Sequence, residues 1–423
     1  MDRSMSNQVF SQRTGLSRRN FLKNGLGGLG VGAALPLLFP NSIQAAQDDQ
    51  KLPHDSTHQE RILVVVELDG GNDGLNTVIP YGDDAYYRQR PKISIPSDKV
   101  LPIDHHFGFH PSLAGFERLY KDGRFALIHG CGYENPILSH FAAMGFWHTG
   151  VPIAGEKLGW IGRAADSLSP EAKENLIVNI ASQQSLAARS RIHTPLVFDD
   201  PSRFLRAGRY EQMPLLRSLM GSSNSDNPNL DFVSGVASSA LKSADFVREA
   251  WDSYSTPINY GLELPISQDL RKVAALIDAG MPTQFYYVQY RNNEFDTHVH
   301  QVDLHARLLA YASDPIHGFV EDMNRIGRGD DITMMVFTEF GRRVPENASG
   351  GTDHGTATPV FVIGNRVNGG QYGKPPSLTE LDHGNLIYTT DYRRVYASLI
   401  EEWMGGDATA ILKGEFETLD LFG

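Results

Sequence analysis

The sequence has very little cysteine and no long apolar run beyond its N-terminal region, and both shortages exclude classes of protein. The single cysteine, Cys131, excludes an internal disulfide, so stability must come from a packed core or from bound metal. No segment after the N-terminal region approaches about 18 consecutive apolar residues, so we expect the mature protein not to span a membrane. Basic residues number 38 against 50 acidic ones, and an acidic chain repels the nucleic-acid backbone. We therefore expect no nucleic-acid partner.

The N-terminal region has the order of charge and apolarity that is typical of a twin-arginine export signal. Arg18 and Arg19 are followed by an uncharged stretch, residues 25–39, which is rich in glycine, alanine and leucine. The stretch is too short and too rich in glycine for a stable membrane-spanning helix. Alanines at positions 45 and 46 then offer a cleavage site. We predict a signal peptide at residues 1–45, a linker at 46–60, the twin-arginine translocase as a partner, and a periplasmic or extracellular location.

This region has three alternative interpretations. The signal could stay uncleaved as a membrane anchor, or the segment could be a plain disordered tail. Residues 25–30 also satisfy the dinucleotide-binding pattern G-x-G-x-x-G, but that pattern requires a preceding strand and a surrounding βαβ unit. A basic segment precedes it here, so we reject a dinucleotide site. Cleavage would remove five basic residues and one acidic residue and take the net charge from −12 to −16.

Short apolar runs alternate with helix-like stretches along the remaining chain. Runs without polar alternation are typical of strands buried on both faces of a parallel sheet. They occur at residues 62–66, 125–129, 176–180, 285–289, 332–338 and 359–363, and the helix-like stretches lie at 111–120, 139–147, 231–252, 267–279, 301–325 and 391–403. This alternation predicts an α/β sandwich. We expect one domain over residues 61–423, with a polar surface loop at 221–229 and a helical excursion near 221–280.

Several acidic residues and histidines stand where the predicted strands end or begin. In open α/β sheets, ligands bind beyond the carboxyl ends of the strands. The set comprises Asp69, Asn72 and Asp73 after the first strand, Asp296, His298 and His300 after the 285–289 strand, Glu339 and Arg342 after the next, and Asp353 and His354 before the last. Carboxylates and imidazoles suit zinc, manganese, iron or a similar divalent ion. If these segments meet at one edge of the sheet, they form a metal site.

Each of these residues also has an ordinary structural interpretation. A single aspartate after a strand is commonly a turn residue or a helix cap. The histidines His105, His106 and His110 are expected in a surface loop, and Cys131 is expected to be a packed small residue. Ser139, before the 139–147 stretch, suits a helix N-cap.

Five segments carry a resemblance to a known family. They read LDGGNDGLNTVIPY, SHFAAMGFWHTG, FDTH, FTEFGRR and GTDHGTATPVFVIG, in this order after the export signal. Together they resemble the bacterial family called domain of unknown function 1501, over nearly the whole mature chain. That family is similar to the alkaline phosphatase and sulfatase superfamily. The resemblance implies a three-layer α/β/α sandwich with a mostly parallel central sheet and two metal ions at the strand ends.

The resemblance also implies roles for individual residues. Asp69, Asp296 and His354 match positions that bind metal in the superfamily, and Ser139 matches the position of its nucleophile. The superfamily pattern selects His300 as a further ligand, whereas the nearer family selects His298.

One segment departs from the superfamily pattern. Glu339 could still bind metal, but Phe340 stands where the superfamily has a histidine ligand, which puts a second metal ion in question. Arg342 could bind a non-bridging oxygen of an anionic ester in bidentate fashion.

These inferences give two functional hypotheses from different classes. The first is an exported hydrolase of phosphate or sulfate esters, acting on a small anionic ester or a sulfated or phosphorylated glycan. It would use Ser139 as nucleophile and one or two divalent ions, with zinc as the expected metal. The second is an envelope protein without catalysis that keeps the fold for binding or assembly. A hydrolase of another kind with a single metal is a third possibility. Metal content of the purified protein separates the hypotheses.

Overall fold

The computed structural model describes residues 61–203 and 228–423, with side chains described from residue 239 in the second range. The predicted signal peptide, the predicted linker and most of the predicted 221–229 loop lie outside the described residues. The division into signal, linker and one domain therefore stays a prediction. Among the described residues, no helix combines the length and the apolar character needed to cross a membrane.

The centre of the molecule is a nine-stranded sheet. The strands of the described chain are β1 (Ile62–Leu68), β2 (Val78–Ile79), β3 (Leu101–Pro102), β4 (Gly108–Phe109), β5 (Phe125–Gly132), β6 (Ile177–Ile180), β7 (Leu196–Phe198), β8 (Phe285–Tyr290), β9 (Ile332–Phe337), β10 (Thr358–Ile363), β11 (Gly370–Tyr372), β12 (Leu381–Asp382), β13 (Asn385–Leu386) and β14 (Thr390–Asp391). The main sheet has the order β11-β5-β10-β9-β1-β8-β6-β7, and β14 pairs with β5. Only β10 runs against its neighbours β5 and β9, so the sheet is mostly parallel.

Helices cover both faces of this sheet. They are α1 (Gly74–Thr77), α2 (Asp84–Gln89), α3 (Ala114–Lys121), α4 (His140–Thr149), α5 (Trp160–Leu168), α6 (Pro228–Ser253), α7 (Pro265–Asp278), α8 (Gln301–Arg325), α9 (Tyr392–Ser398) and α10 (Ala408–Leu412), with a 3-10 turn at Gly329–Asp331 and a π-helical turn at Leu399–Trp403. One core lies under α3, α6, α7 and α8, and a second lies under α4, α5, α9 and α10. The predicted three-layer α/β/α fold class is confirmed.

Strand β1 shows why an unbroken apolar run forms here. Val64 and Val66 belong to the first core, whereas Leu63 and Val65 belong to the second. Both faces are therefore covered by helices, and alternation with polar residues would bury unpaired polar groups. The strand lies between β8 and β9, so its backbone groups are paired on both sides.

All six predicted strands are present, and the differences lie at the ends of the helices and in short elements that the sequence pattern does not predict. The helix expected from residue 111 begins at Ala114, because residues 110–113 form a turn in which Leu113 N donates to His110 O at 2.9 Å. The last predicted helix continues from α9 into the π-helical turn. Strand β7, with only three residues, was not predicted.

The sheet brings four separate chain segments to one edge. Strands β1, β8 and β9 end there, and β10 begins there because it is antiparallel to β9. The residues that follow or precede these ends are Asp69, Asp296, Glu339 and His354.

A buried histidine makes the stability of the fold depend on pH. His305 in α8 is 1% exposed, its Nε2 contacts Asn72 Oδ1 at 2.7 Å, and burial lowers its pKa to about 3. An unfolded histidine titrates near pH ~6.5, so below that pH the unfolded chain binds a proton that the native chain does not. We expect this histidine to cost about 1.4 kcal/mol of stability per pH unit as pH falls from ~6.5 toward its native pKa. Urea unfolding at several pH values should show a shallower decline for His305→Gln than for the parent. Parallel declines would refute the assignment.

Candidate metal centre

His140 begins helix α4 and points its ring at the edge of the sheet. Its Nδ1 lies 2.7 Å from Glu339 Oε1, and its Nε2 lies 3.4 Å from Asp296 Oδ2. Gly70 N donates to Glu339 Oε1 at 3.1 Å, so the oxygen that faces His140 is already a hydrogen-bond acceptor. The Nδ1 of His140 is therefore its N–H donor.

His354 is held in a similar way, through a backbone carbonyl. Its Nδ1 lies 2.8 Å from the carbonyl oxygen of Leu138, and its Nε2 lies 3.1 Å from Asp296 Oδ1. A carbonyl oxygen can only accept, so the Nδ1 of His354 must carry the proton. Both imidazoles are thus held through Nδ1, with Nε2 directed at Asp296.

The Asp296 carboxylate faces two imidazole nitrogens. Burial lowers the pKa of His140, but its hydrogen bond to Glu339 and the charges of Glu339 and Asp296 outweigh burial and raise the pKa, so the ring takes up a proton or a cation readily. In a neutral imidazole that donates through Nδ1, Nε2 is a lone-pair acceptor, and an ionised aspartate is also an acceptor. Two such nitrogens facing one carboxylate require either extra protons or a cation between them. Histidines that bind metals commonly donate their other N–H to a carboxylate or a backbone carbonyl, which fixes the tautomer. His140 and His354 have these two kinds of partner.

Asp296 is the residue that the other side chains of the centre contact. Its Oδ1 lies 2.6 Å from a guanidinium nitrogen of Arg342, and its Oδ2 accepts a 3.3 Å hydrogen bond from Asn293 Nδ2. Burial alone would raise the pKa of Asp296, but the hydrogen bond and charge of Arg342 outweigh burial and hold the pKa below its ordinary value. Asp296 is therefore ionised.

Arg342 is buried beneath the centre rather than exposed toward a ligand. Its Nε donates to Gly71 O at 2.5 Å and one terminal nitrogen donates to Thr352 O at 3.0 Å. The other terminal nitrogen donates to Gly70 O and to Phe295 O, as well as to Asp296. The guanidinium thus ties the loops after β1, β8 and β9 to one another.

Asp69 and Glu339 add further carboxylates near the histidines. The side chain of Glu339 is fully buried and accepts hydrogen bonds from Gly70 N and from His140 Nδ1. Asp69 Oδ2 accepts a 3.1 Å hydrogen bond from Asn293 N. Burial, together with the charges of Glu67 and Glu339, raises the pKa of Asp69 to about 6. Glu339 therefore supports His140, while Asp69 lies beside the centre.

The two candidate histidines after Asp296 lie in different environments. His298 Nε2 is 3.0 Å from Asp296 Oδ1, and its Nδ1 is 3.4 Å from Asp353 Oδ1. Its ring centre is 4.8 Å from that of His354. His300 is exposed, with a positive φ of 46° at the start of α8, and its backbone N–H donates to Ser349 O. The structure thus brings His298 and Asp353 to the centre, and His300 lies outside it.

Ser139 occupies the N-cap position of α4, next to His140. Its side chain is exposed and makes no capping hydrogen bond, although its carbonyl oxygen accepts Ala143 N at 2.8 Å. The hydroxyl is therefore not committed to the cap that the alternative interpretation requires.

Phe340 packs against both histidines. Its ring centre is 4.8 Å from that of His140 and 4.8 Å from that of His354. This position requires glycine at residue 71, which has a φ of 69° and whose Cβ would lie 2.3 Å from the Phe340 ring. Phe340 therefore forms an apolar wall of the centre.

Asn72 and Asp73, which also follow β1, belong to a separate buried network. Asp73 caps α1 through Leu75 N at 3.1 Å and forms a 2.6 Å ion pair with Arg90. This agrees with the interpretation of such an aspartate as a helix cap.

The sequence prediction missed His140. Within the described residues, three side chains offer ligand atoms that all lie within 4.8 Å of one another, namely His140, Asp296 and His354. Their side chains are 23–24% exposed, although the Nε2 atom of His140 is itself buried. Two histidines and one carboxylate form a donor set that suits zinc with one position left open. The residues therefore fit a divalent ion. The sequence feature that could have indicated His140 is its position next to Ser139 at the start of a predicted helix.

The chain is similar to solved structures from several bacteria. The lipoteichoic acid synthase LtaP from Listeria monocytogenes is 8% identical, with 84% of this chain and 76% of that chain covered and a TM-score of 0.36. A protein in the alkaline phosphatase superfamily from Vibrio parahaemolyticus is 10% identical, with 84% of this chain and 69% of that chain covered and a TM-score of 0.40. The PsFucS1 sulfatase from Pseudoalteromonas sp. is 10% identical, with 85% of this chain and 70% of that chain covered and a TM-score of 0.37.

Sequence comparison gives the family. No curated protein matches the chain. The model of the family described as a protein of unknown function, DUF1501, matches residues 60–391. Because this match spans more than half of the sequence, as the five segments predicted, the chain belongs to the DUF1501 family.

Proposed function

We propose that this protein, after export, binds one divalent metal ion through His140, Asp296 and His354 and hydrolyses a phosphate or sulfate ester. The observation that carries the proposal is the orientation of the two imidazoles. Each is held through Nδ1 by an oxygen acceptor, and each turns Nε2 toward the same carboxylate. A bound ion would supply a Lewis acid and offset the negative charge of the substrate. Zinc is the expected ion because imidazole and carboxylate are among its usual ligands.

The surroundings explain why an anionic ester needs that cation. The carboxylates Asp69, Asp353 and Glu339 lie around the histidines and would repel an anion without it. Helix α4 begins at the centre, and its first turn has no acidic residue and no side-chain cap. Its free N–H groups favour the charged oxygens of a phosphate or sulfate group. The cation and the helix terminus together select an anionic substrate.

Ser139 is the proposed nucleophile. Its oxygen would attack phosphorus or sulfur and form the seryl ester, the bond to the leaving oxygen would break, and the serine hydroxyl proton would pass to the departing alcohol. Water would then hydrolyse the seryl ester, releasing phosphate or sulfate and restoring the hydroxyl. A serine hydroxyl needs activation to attack at neutral pH. Its exposed position and lack of a capping bond keep the oxygen available.

The remaining residues act on the centre from outside. Arg342 orients Asp296 and the three loops, since all its donor nitrogens are directed at protein oxygens. His298, supported by Asp353, borders the centre and is a further candidate ligand, as is Asp69. His300 and Glu339 are not proposed as direct ligands.

A non-catalytic binding role has one observation in its favour. Phe340 lies against both histidines and offers no ligand atom, so the centre has apolar surface where a second ion would need a donor. A protein that binds one ion and an anion without reaction would have the same centre.

Metal-dependent hydrolysis separates these two functions. Purified protein loaded with zinc or manganese is expected to hold one ion per chain and to cleave 4-nitrophenyl phosphate or 4-nitrophenyl sulfate. Chelation should abolish cleavage, and returning the ion should restore it. An ion bound without cleavage of any phosphate or sulfate ester would favour the binding role. No bound ion under any condition would refute the proposed centre.

A further inference from the structure

We propose that the substrate of the metal centre is a monoester of an uncharged apolar alcohol, aryl or alkyl, and that this alcohol part packs on Phe141. The inference rests on the proposed function, because the metal centre holds the anionic end of the substrate. Two features of the surface beside the centre carry it. Apolar side chains are exposed there, and the exposed charge is negative.

Phe141 is the largest of these apolar side chains. It is the second residue of α4 and directly follows His140. Its side chain is 90% exposed, although the same helix buries Trp147 in the second core. Consecutive Cα atoms are about 3.8 Å apart, so the ring starts beside an imidazole of the centre. Because no part of the fold covers this ring, it is available to a ligand.

Two further exposed apolar side chains start beside the centre. Ile137 precedes Leu138, whose carbonyl oxygen accepts a hydrogen bond from His354 Nδ1. Val299 follows His298, whose ring centre lies 4.8 Å from that of His354. Separate chain segments therefore bring apolar residues to the surroundings of one histidine. Exposed apolar surface around a polar centre is typical of a ligand-binding or interaction site.

The charge around the centre disfavours a substrate with several anionic groups. Within the described chain, the ion pairs of Asp296, Glu339 and Asp353 involve histidines and Arg342 alone. The Arg342 side chain is fully buried, whereas Asp353 is exposed. A second phosphate, sulfate or carboxylate on the substrate would meet this negative charge without a cation of its own. One ester group on an uncharged alcohol is therefore favoured over a glycan with several sulfates.

The same side chains favour an apolar alcohol over a sugar. Ile137 and Val299 offer no donor or acceptor, so sugar hydroxyls packed against them would lose hydrogen bonds to water. An aryl or alkyl group loses none and buries apolar surface together with that of Phe141. An aryl group can also form the offset or edge-to-face contact that aromatic pairs prefer.

Phosphonates measure binding at the centre without hydrolysis, because a carbon–phosphorus bond replaces the ester bond. With the full-length protein loaded with zinc, we expect calorimetric titration to show phenylphosphonate binding about 3–10-fold more tightly than methylphosphonate, the effect of one aromatic pair. 4-Phosphonobenzoate carries a carboxylate on the far side of the ring. It should bind at least about 3-fold more weakly than phenylphosphonate.

Three variants show whether Phe141 causes this preference. Phe141→Ser changes an exposed side chain, so the protein should stay folded and keep zinc, and its affinities for the two phosphonates should become nearly equal. Phe141→Tyr keeps the ring and should keep the preference. Ile153→Ser is the matched control, since Ile153 is also exposed but lies beyond the other end of α4, whose ten residues span about 15 Å. It should match the parent.

The possible contrary results are distinct from one another. Equal binding of phenylphosphonate and methylphosphonate by the parent, or an unchanged preference in Phe141→Ser, would overturn the inference and leave the proposed function standing. Light scattering that shows a parent dimer dissociated by Phe141→Ser would assign this surface to a second copy of the chain and overturn it as well. Zinc-loaded protein that binds neither phosphonate would refute anion binding at the centre, and the proposed function would fall together with the inference.

Discussion

The His140→Ala protein is expected to lose its divalent ion and, with it, measurable ester hydrolysis. The substitution removes one of the three ligand atoms that lie within 4.8 Å of one another. It also leaves Glu339 buried without its imidazole partner. Loss of an outer partner of a metal ligand typically costs about 10–100-fold in affinity, and loss of a ligand itself should cost more. Dialysis against zinc followed by elemental analysis measures the zinc content of the protein, and calorimetric titration measures its affinity for zinc.

Three further variants make this result interpretable. His354→Ala should behave like His140→Ala, because the two rings have the same arrangement. Glu339→Gln keeps an acceptor oxygen for His140 but removes the charge, so we expect an intermediate loss of about 10–100-fold. His105→Ala, an exposed histidine in the loop between β3 and β4, should match the parent protein. If His140→Ala folds and keeps the ion with parental affinity, the ion is bound elsewhere.

The fold could be read from the sequence because its signals are local. An unbroken run such as residues 62–66 indicates a strand covered on both faces, and the long stretch at 301–325 has the length and periodicity of one helix. Strand β7 could not be predicted because three residues are too few to show a pattern of apolar residues. Its pairing with β6 stabilises it, and pairing partners are not visible in a local window.

The centre was harder to predict because its contacts join distant residues. Strand ends indicated Asp296 and His354, since polar residues at that edge of a parallel sheet meet one another. His140 enters from a helix start, and only the position of α4 against the sheet brings its ring to Asp296. The surroundings of Arg342 could not be inferred either. Residue type alone does not say whether a guanidinium faces a ligand or, as here, backbone carbonyls of three loops.

Glycines 70 and 71 connect the family segment after β1 to the centre. Both have positive φ, 120° and 69°, and a Cβ at either position would overlap neighbouring atoms. Gly70 donates its N–H to Glu339, and Gly71 leaves room for Phe340 against the histidines. The two glycines therefore let the β1 loop approach the residues after β9 closely enough to hold His140.

Replacing Ser139 decides between catalysis through a covalent intermediate and direct attack by water. Ser139→Ala is expected to lower ester hydrolysis by more than about 10³-fold, since the residue that forms the bond is absent. Metal content should be unchanged, because His140, Asp296 and His354 remain. Stability should also be unchanged, because the hydroxyl makes no capping hydrogen bond that the substitution would remove. Hydrolysis rates, elemental analysis and thermal unfolding measure these three outcomes.

A trapping experiment makes the test of Ser139 independent of the rate alone. Rapid acid quench of the parent protein with a phosphate ester should leave one phosphoryl group on the peptide that contains Ser139, and the alanine variant should show none. Ser97→Ala, at an exposed serine in another loop, is the matched control and should hydrolyse at the parental rate. If Ser139→Ala turns over substrate as fast as the parent, the seryl ester is not on the reaction path. Direct attack by water at the same centre would then be the mechanism, with His140, Asp296 and His354 keeping the roles assigned to them.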